Sequence, residues 1–434
     1  MSPVLVGIIG FIVLFALLAI GLPIGAGMAL VGFVGIWYLI SDVAAFIKVA
    51  VVPFQTVTDY SLAVLPLFIL MAQVVFSSGM GRDLFNLASK WLGHKRGGVA
   101  MAAVAGSAVF AAVSASSIAT ATTMGLVSIP EMRRLKYDSS LATGAVAAGG
   151  TMGVLIPPSG ALIIYGILTE TSIGKLFAAG IIPGVLEALF YVAVIGILCW
   201  WKPKLGPPAE KAPLREKIKA FSSCGGIVVL IAFVLSGLII GWFTPTEAGA
   251  VGAFGAIVIT TIRGRLTWAG FKTAIVDTLK TTGMIYGILI GALIFNVFVA
   301  ASTIPYVLSE FIGNMPWPPM AVLVMVLVLY FFLGCFLDVA AMTVLTIPIF
   351  FPLVIKLGFN PIWFGIIFVR MAEIAMITPP IGMNTFVIAG VVKEMGIPME
   401  TVFKGIIPFL VADFLHVTLL ILVPTLSLFL VRLM

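Results

Sequence analysis

Uncharged apolar runs recur along this chain, the first from Pro3 to Ile20. About 20 such residues cross the ~30 Å of hydrocarbon in a bilayer. With 62% hydrophobic and 9% charged residues and a mean hydropathy of +1.24, the composition excludes a soluble globular protein. The fold class is therefore all-α polytopic membrane protein. The first run lacks a basic start and a small-residue cleavage site, and is read as a retained span rather than a signal peptide. The formal charge of +7 lies in loops between spans, which is topogenic charge and not a nucleic-acid surface. Cys199, Cys224 and Cys335 are far apart, His94 and His416 are unrelated in position, and no metal-ligand spacing occurs.

Two of the runs contain a double proline: "GTMGVLIPPSGAL" (150–162) and "EIAMITPPIGMNT" (373–385). Proline inside a helix removes a hydrogen bond and clashes with the preceding turn, at about 3 kcal/mol. A shift of 222 residues superimposes Pro157 and Pro158 on Pro379 and Pro380. It also brings Pro130 onto Pro352, Asp138 onto Asn360, Gly160 onto Gly382 and Pro23 onto Pro245. One gapless offset over such distances marks an internal duplication.

Spans in the first half are expected near 3–20, 23–40, 62–78, 139–170 and 175–201. The apolar segment 98–130 has basic residues on both flanks, and it is too short for two crossings and a turn, which need ~40 residues. It is read as a re-entrant helical hairpin, with its equivalent at 318–352. Five crossings per half is odd, so the second half is expected to be inverted, with external termini and a cytoplasmic linker at 202–223. Of 24 Lys and Arg, 19 then fall in cytoplasmic loops. Broken backbone at membrane depth persists only where it is buried or lines a cavity, and inverted repeats with broken helices are the pattern of secondary transporters.

The first hairpin is rich in hydroxyls, and its expected tip is 114–117. Serine there caps a new helix, whose free N–H groups face the midplane. The break at 153–158 frees carbonyls, which are hard oxygen ligands for Na⁺. The first sodium site is therefore placed at Ser114 and Ser117 with backbone at Gly153, Ile156 and Pro158. The alternative is that these small residues only allow close helix packing. In the second half the shift maps Ser116 onto Asp338. A carboxylate in an apolar hairpin is expensive and usually functional. A second cation site is placed at Asp338, Thr343 and Thr378 with backbone near Ala375 and Pro380; a protonated, structural Asp338 is the other reading. Arg370 and Glu373 are one turn apart, either as a bundle-holding ion pair or with Arg370 attracting an anionic substrate. Ser116, Ser159, Asn384 and Thr385 complete the candidate substrate set.

The stretches "SASSIATATTMGLVSIPEMRRLKY", "GGTMGVLIPPSGALIIYG", "LGCFLDVAAMTVLTIPIFFPL" and "MITPPIGMNTFVIAG" resemble the large membrane subunit of tripartite ATP-independent periplasmic (TRAP) transporters. The resemblance covers essentially the whole chain. It implies a non-enzymatic, sodium-coupled importer of an organic acid (sialic acid or a C4-dicarboxylate) in the bacterial inner membrane, with at least two Na⁺ sites. It also implies a separate small four-helix membrane subunit and a periplasmic substrate-binding protein as partners, besides membrane lipid. Its elevator-type fold implies transport parts at 98–170 (hairpin 98–130, broken helix 139–170) and 318–394 (hairpin 318–352, broken helix 361–394). The scaffold parts are then 1–97, 171–201, 224–317 and 395–434. Residues 41–61 and 263–281, equivalent under the shift, are expected to be interfacial arm helices or simple surface helices. A standalone sodium–anion symporter shares the physical features. An intramembrane enzyme lacks a nucleophile–base pair, and a channel does not call for occluding hairpins.

Overall fold

A computed structural model describes residues 1–313 and 316–434; Asn314 and Met315, at the end of the 224–317 stretch, lie outside the described residues. The first half contains α1 (Pro3–Ala19), α2 (Ile24–Leu39), α3 (Asp42–Thr58), α4 (Val64–Ser77), α5 (Met80–Leu92), α6 (Gly98–Ser114), α7 (Ser117–Arg134), α8 (Ser139–Leu155), α9 (Gly160–Leu168) and α10 (Ile173–Trp201). The second contains α11 (Leu214–Ile240), α12 (Pro245–Ile262), α13 (Trp268–Ala301), α14 (Ile304–Gly313), α15 (Pro319–Gly334), α16 (Val339–Lys356), α17 (Pro361–Ile377), α18 (Met383–Val392), α19 (Met399–Leu422) and α20 (Thr425–Leu428). No strand occurs among the described residues. Among the described residues eight helical stretches are long and apolar enough to cross a membrane, with α1, α2, α6 and α15 slightly shorter.

Helix boundaries recur at the 222-residue offset. α7 starts at Ser117 and α16 at Val339; α8 spans Ser139–Leu155 and α17 Pro361–Ile377. The caps recur too. Asp138 and Asn360 accept backbone N–H groups at the starts of α8 and α17, and Ser116 and Asp338 do so at the starts of α7 and α16. One short polar acceptor thus starts each of these four helices.

Two boundaries depart from the sequence reading. The first arm is a separate helix, α3, because the Asp59 carboxylate accepts the Ser61 N–H and turns the chain before α4. Its counterpart at 263–281 has Thr281 in place of Asp59 and runs without a break into the next span as the 34-residue α13. At 1.5 Å per residue α13 is about 51 Å long, well beyond one crossing. The linker is also shorter than 202–223, because α11 begins at Leu214. Its basic turn docks on α5, where Lys90 pairs with Glu216 at 2.6 Å and Lys217 lies over the Trp91 ring.

α6 and α7 double back on one another, turning at Ala115 with φ +50°, and α15 and α16 do the same around 335–338. At the base of the first hairpin the Val99 N–H donates to Tyr137 Oη at 3.1 Å, and burial pushes that phenol up to about 12. Both hairpins pack on the broken helices: α6 and α7 on α8, α15 and α16 on α17. Each outer arm also reaches the other half, α7 against α18 and α16 against α9. α2, α3, α4 and α12 gather instead around α13 and one another. α10 and α19, expected with the scaffold, lie against α8 and α17.

The α8–α19 contact is backbone on backbone. A Cβ on Gly144 would stand 2.1 Å from the Gly405 carbonyl oxygen, and one on Gly405 would stand 1.9 Å from that of Ser140. Such glycines let membrane helices approach closely without a gap. Neither carbonyl is free to move out of its helix, so Gly405→Ala is expected to destabilise the protein by about 1–3 kcal/mol through overpacking. Thermal unfolding of the purified chain in detergent reads this as a lowered Tm, and an unchanged Tm would contradict the contact.

Candidate functional site

The two hairpin turns and the two helix breaks converge. α8 stops at Leu155 and α9 resumes at Gly160; α17 stops at Ile377 and α18 resumes at Met383. The peptide bonds Pro157–Pro158 and Pro379–Pro380, both cis, lie in these gaps. A Cβ on Gly153 would stand 2.7 Å from the Ser116 carbonyl oxygen and 3.0 Å from the Ser117 nitrogen. The first break and the first turn therefore meet main chain to main chain, which only a residue without Cβ permits. In the second half the glycine lies on the turn: a Cβ on Gly334 would stand 2.6 Å from the Ala375 Cβ. The halves are joined at the centre by Ser117, whose Oγ is 3.5 Å from the Met376 sulfur.

Between these parts lies a cavity of about 600 Å³. One wall is the first turn, residues 114–119, with Gly160; a second is the start of α16, residues 338–340, with Met376. The third wall comes from α4 and α13. At the first turn, Ser114 Oγ lies 2.6 Å from Thr120 Oγ1 and 3.2 Å from the Ser116 carbonyl oxygen, and the Thr120 hydroxyl donates to that carbonyl at 2.8 Å. Three hard oxygens thus lie within hydrogen-bond reach of one another. Thr120, which the sequence reading left out, belongs to this group. At the second turn, Asp338 Oδ1 accepts the Ala341 N–H at 3.1 Å while the half-buried carboxylate faces the cavity. Thr343 and Thr378 bond back to the carbonyls of Val339 and Ile374, each at 2.6 Å.

The expected substrate residues separate in space. Ser116 lines the cavity. Ser159 and Thr385 are fully buried and serve the breaks themselves. The Ser159 hydroxyl donates to the Val154 carbonyl and accepts the Leu162 N–H, and the Thr385 hydroxyl donates to the Ile377 carbonyl at 3.1 Å. Two carbonyls freed by the breaks are thus taken by side chains beyond them, five and eight residues further on. Asn384 is fully buried, off the cavity lining, and neither its amide oxygen nor its nitrogen has a protein partner.

Arg370 does not reach the cavity. Its guanidinium is fully buried among three carboxylates: Glu187 at 2.7 Å, Glu373 at 2.9 Å and Asp413. The Tyr191 hydroxyl donates to Asp413 at 2.6 Å, and the Thr151 hydroxyl lies 3.2 Å from Glu187. This removes Arg370 from the substrate set, because every carboxylate of the cluster already draws on its charge. Of the two readings in the sequence, the ion pair is the one realised, in enlarged form. The offset carries a signal for two of the partners, since Tyr191 and Asp413 are 222 residues apart, as are Thr151 and Glu373; Glu187, which falls on Phe409, has none. The cluster joins the two broken helices to α10 and α19 and accounts for their packing together.

Residues 11–426 match the family described as "Tripartite ATP-independent periplasmic transporter, DctM component". The chain belongs to the DctM family. It is 33% identical to the C4-dicarboxylate TRAP transporter large permease protein DctM of Pseudomonas aeruginosa over 382 residues, 88% of each chain. It is 30% identical to the sialic acid TRAP transporter large permease protein SiaM of Vibrio cholerae over 416 residues, 95% of this chain and 96% of that one. The fold is similar to that of the YdaH transporter of Alcanivorax borkumensis, with a TM-score of 0.58 at 14% identity and 86% of each chain covered. This DctM-family chain is thus the large membrane subunit of a TRAP-type transporter and not an enzyme.

In this DctM-family subunit, Arg370→Ala leaves three buried carboxylates without their cation. Loss of one partner of a buried ion pair costs about 3–5 kcal/mol. Arg370→Ala is expected to fall in that range, and Arg370→Met combined with Glu187→Met and Asp413→Leu is expected to recover part of the loss. Denaturation in detergent compares the two, and a triple variant no more stable than Arg370→Ala would contradict the charge accounting.

Proposed function

We propose that this chain is the sodium-coupled transport subunit of a TRAP system. In this reading it imports an organic acid handed over by a periplasmic binding protein, together with a small four-helix membrane subunit. The observation that carries the reading is the meeting of both hairpin turns around one cavity, beside the helix ends at Val154, Gly160 and Met376, with a carboxylate, Asp338, in its wall. Backbone left unpaired at membrane depth is retained where it binds cargo. Sodium as cargo is held by Ser114, Ser117, Thr120 and backbone near Gly153, Ile156 and Pro158 in the first half. In the second half it is held by Asp338, with Thr378 and backbone near Ala375 and Pro380; Thr343 supports α16 from behind.

The second half is the inverted copy of the first. The exchanged packing, α7 on α18 and α16 on α9, supports a twofold relation, and the distribution of Lys and Arg supports external termini in the bacterial inner membrane. The moving body is the pair of hairpins with the broken helices, together with α10 and α19, which the Arg370 cluster ties to them. α1 to α4 and α11 to α13 form the static frame, and the cavity lies between body and frame. That arrangement suits elevator-type alternating access: cargo held on one body changes sides as the body slides.

Reconstitution with the small subunit and binding protein, followed by uptake under a sodium gradient, tests this. Asp338→Asn and Gly153→Ala are each expected to raise the sodium concentration for half-maximal uptake by at least tenfold. The first removes a charged ligand, and the second pushes the first turn off α8. Uptake indifferent to sodium in the unmodified complex refutes the coupling; full uptake without either partner favours a standalone symporter.

A further inference from the structure

The third wall of the cavity holds charge that the sequence reading did not use. Asp277, Lys280 and Thr281, all within about one turn of α13, line it opposite the hairpin turns. Among the described residues of the lining, Lys280 is the one basic side chain; Asp277 and Asp338 are the acidic ones. Lys280 Nζ stands 4.0 Å from Asp277 Oδ1, beyond hydrogen-bond distance, and its side chain is 74% exposed. Among the described residues the ammonium therefore has only this long, solvent-exposed ion pair and donates no hydrogen bond to protein. One repeat earlier the same positions are Gln55 and Thr58, so this pair is not a remnant shared by both halves. In a crevice with apolar walls a charged side chain focuses the field around itself and draws an ion of opposite sign.

We infer that Lys280 is a specificity-determining residue that receives the acid group of the substrate, and that the cavity accepts organic acids carrying one negative charge. The inference rests on the sodium-coupled reading above and deepens it. With co-transported cation balancing Asp338, the lining retains one cation, Lys280, and one anion, Asp277. A monoanion finds its partner in Lys280, and its hydroxyls find Ser116, Thr122 and Thr281. A dianion brings a second carboxylate against Asp277 or the apolar wall, where it is desolvated without a counter-charge. α13 is also part of the static frame, so the substrate makes this contact only while the moving body stands opposite it, and leaves it when the body slides.

The test is sodium-driven uptake by the full complex in proteoliposomes. Sialic acid, gluconate and lactate serve as monoanions, succinate and malate as dianions, and Lys280 is intact or replaced by Ala or Arg. The expected result is uptake confined to monoanions. Lys280→Ala should raise the substrate KM at least tenfold with the sodium half-saturation unchanged, and Lys280→Arg should restore KM to within about threefold. Uptake of succinate or malate as efficient as that of any monoanion overturns the inference, as does an unaltered KM in Lys280→Ala. Loss of uptake in both variants, each monodisperse by gel filtration, also overturns it, since it shows a structural role. If the intact complex takes up acid without a sodium requirement, or takes up none, the reading beneath falls and the inference with it.

Discussion

Main-chain polar groups inside hydrocarbon must find partners within the protein, and this constraint shapes the centre of the molecule. Both double prolines open a helix in mid-course, and each opening is closed from within. Ser159 takes the Val154 carbonyl and Thr385 takes that of Ile377. A hairpin turn is pressed against the end of each broken helix, with Gly153 or Gly334 giving up its Cβ to allow the contact. The cavity is the space that remains when two such turns meet from different halves. Hard oxygens collect there because stopping and restarting a helix exposes them.

A second constraint lies behind the first. Arg370 is buried among Glu187, Glu373 and Asp413, where the two broken helices cross α10 and α19. Buried charges of this kind hold geometry more than they add stability, since their desolvation offsets most of the attraction. Tyr191 and Asp413, 222 residues apart, are hydrogen-bonded to each other. Gly144 and Gly405 bring α8 and α19 close enough for that network to form without gaps.

Much of this was readable before any coordinates. The 222-residue offset follows from prolines, glycines and caps whose roles are local: Pro157 and Pro379 break a helix whatever surrounds them, and Asp138 and Asn360 start one. The hairpin tip at 114–117 was legible for the same reason. Arg370 stays open between an ion pair and a substrate contact because a buried arginine has the same appearance in sequence whether its partner is a ligand or Glu187, 183 positions away. Ser159 and Thr385 were misassigned because a hydroxyl just past a break serves equally as a cap or as a cavity wall. Lys280 was counted with the topogenic charges, and the continuity of α13 was missed because nothing near Thr281 announces whether a helix runs on.

The sequence by itself determined where helices begin, end and break, and that several of these boundaries recur 222 residues apart. Those are short-range matters of N–H groups, caps and proline rings. Only the tertiary structure decided which hydroxyls are spent on freed carbonyls, which carboxylates enclose Arg370, and that α13 turns a lysine toward the two turns. These depend on distances between residues far apart along the chain, which are settled by how helices pack and leave no local mark in the order of the residues.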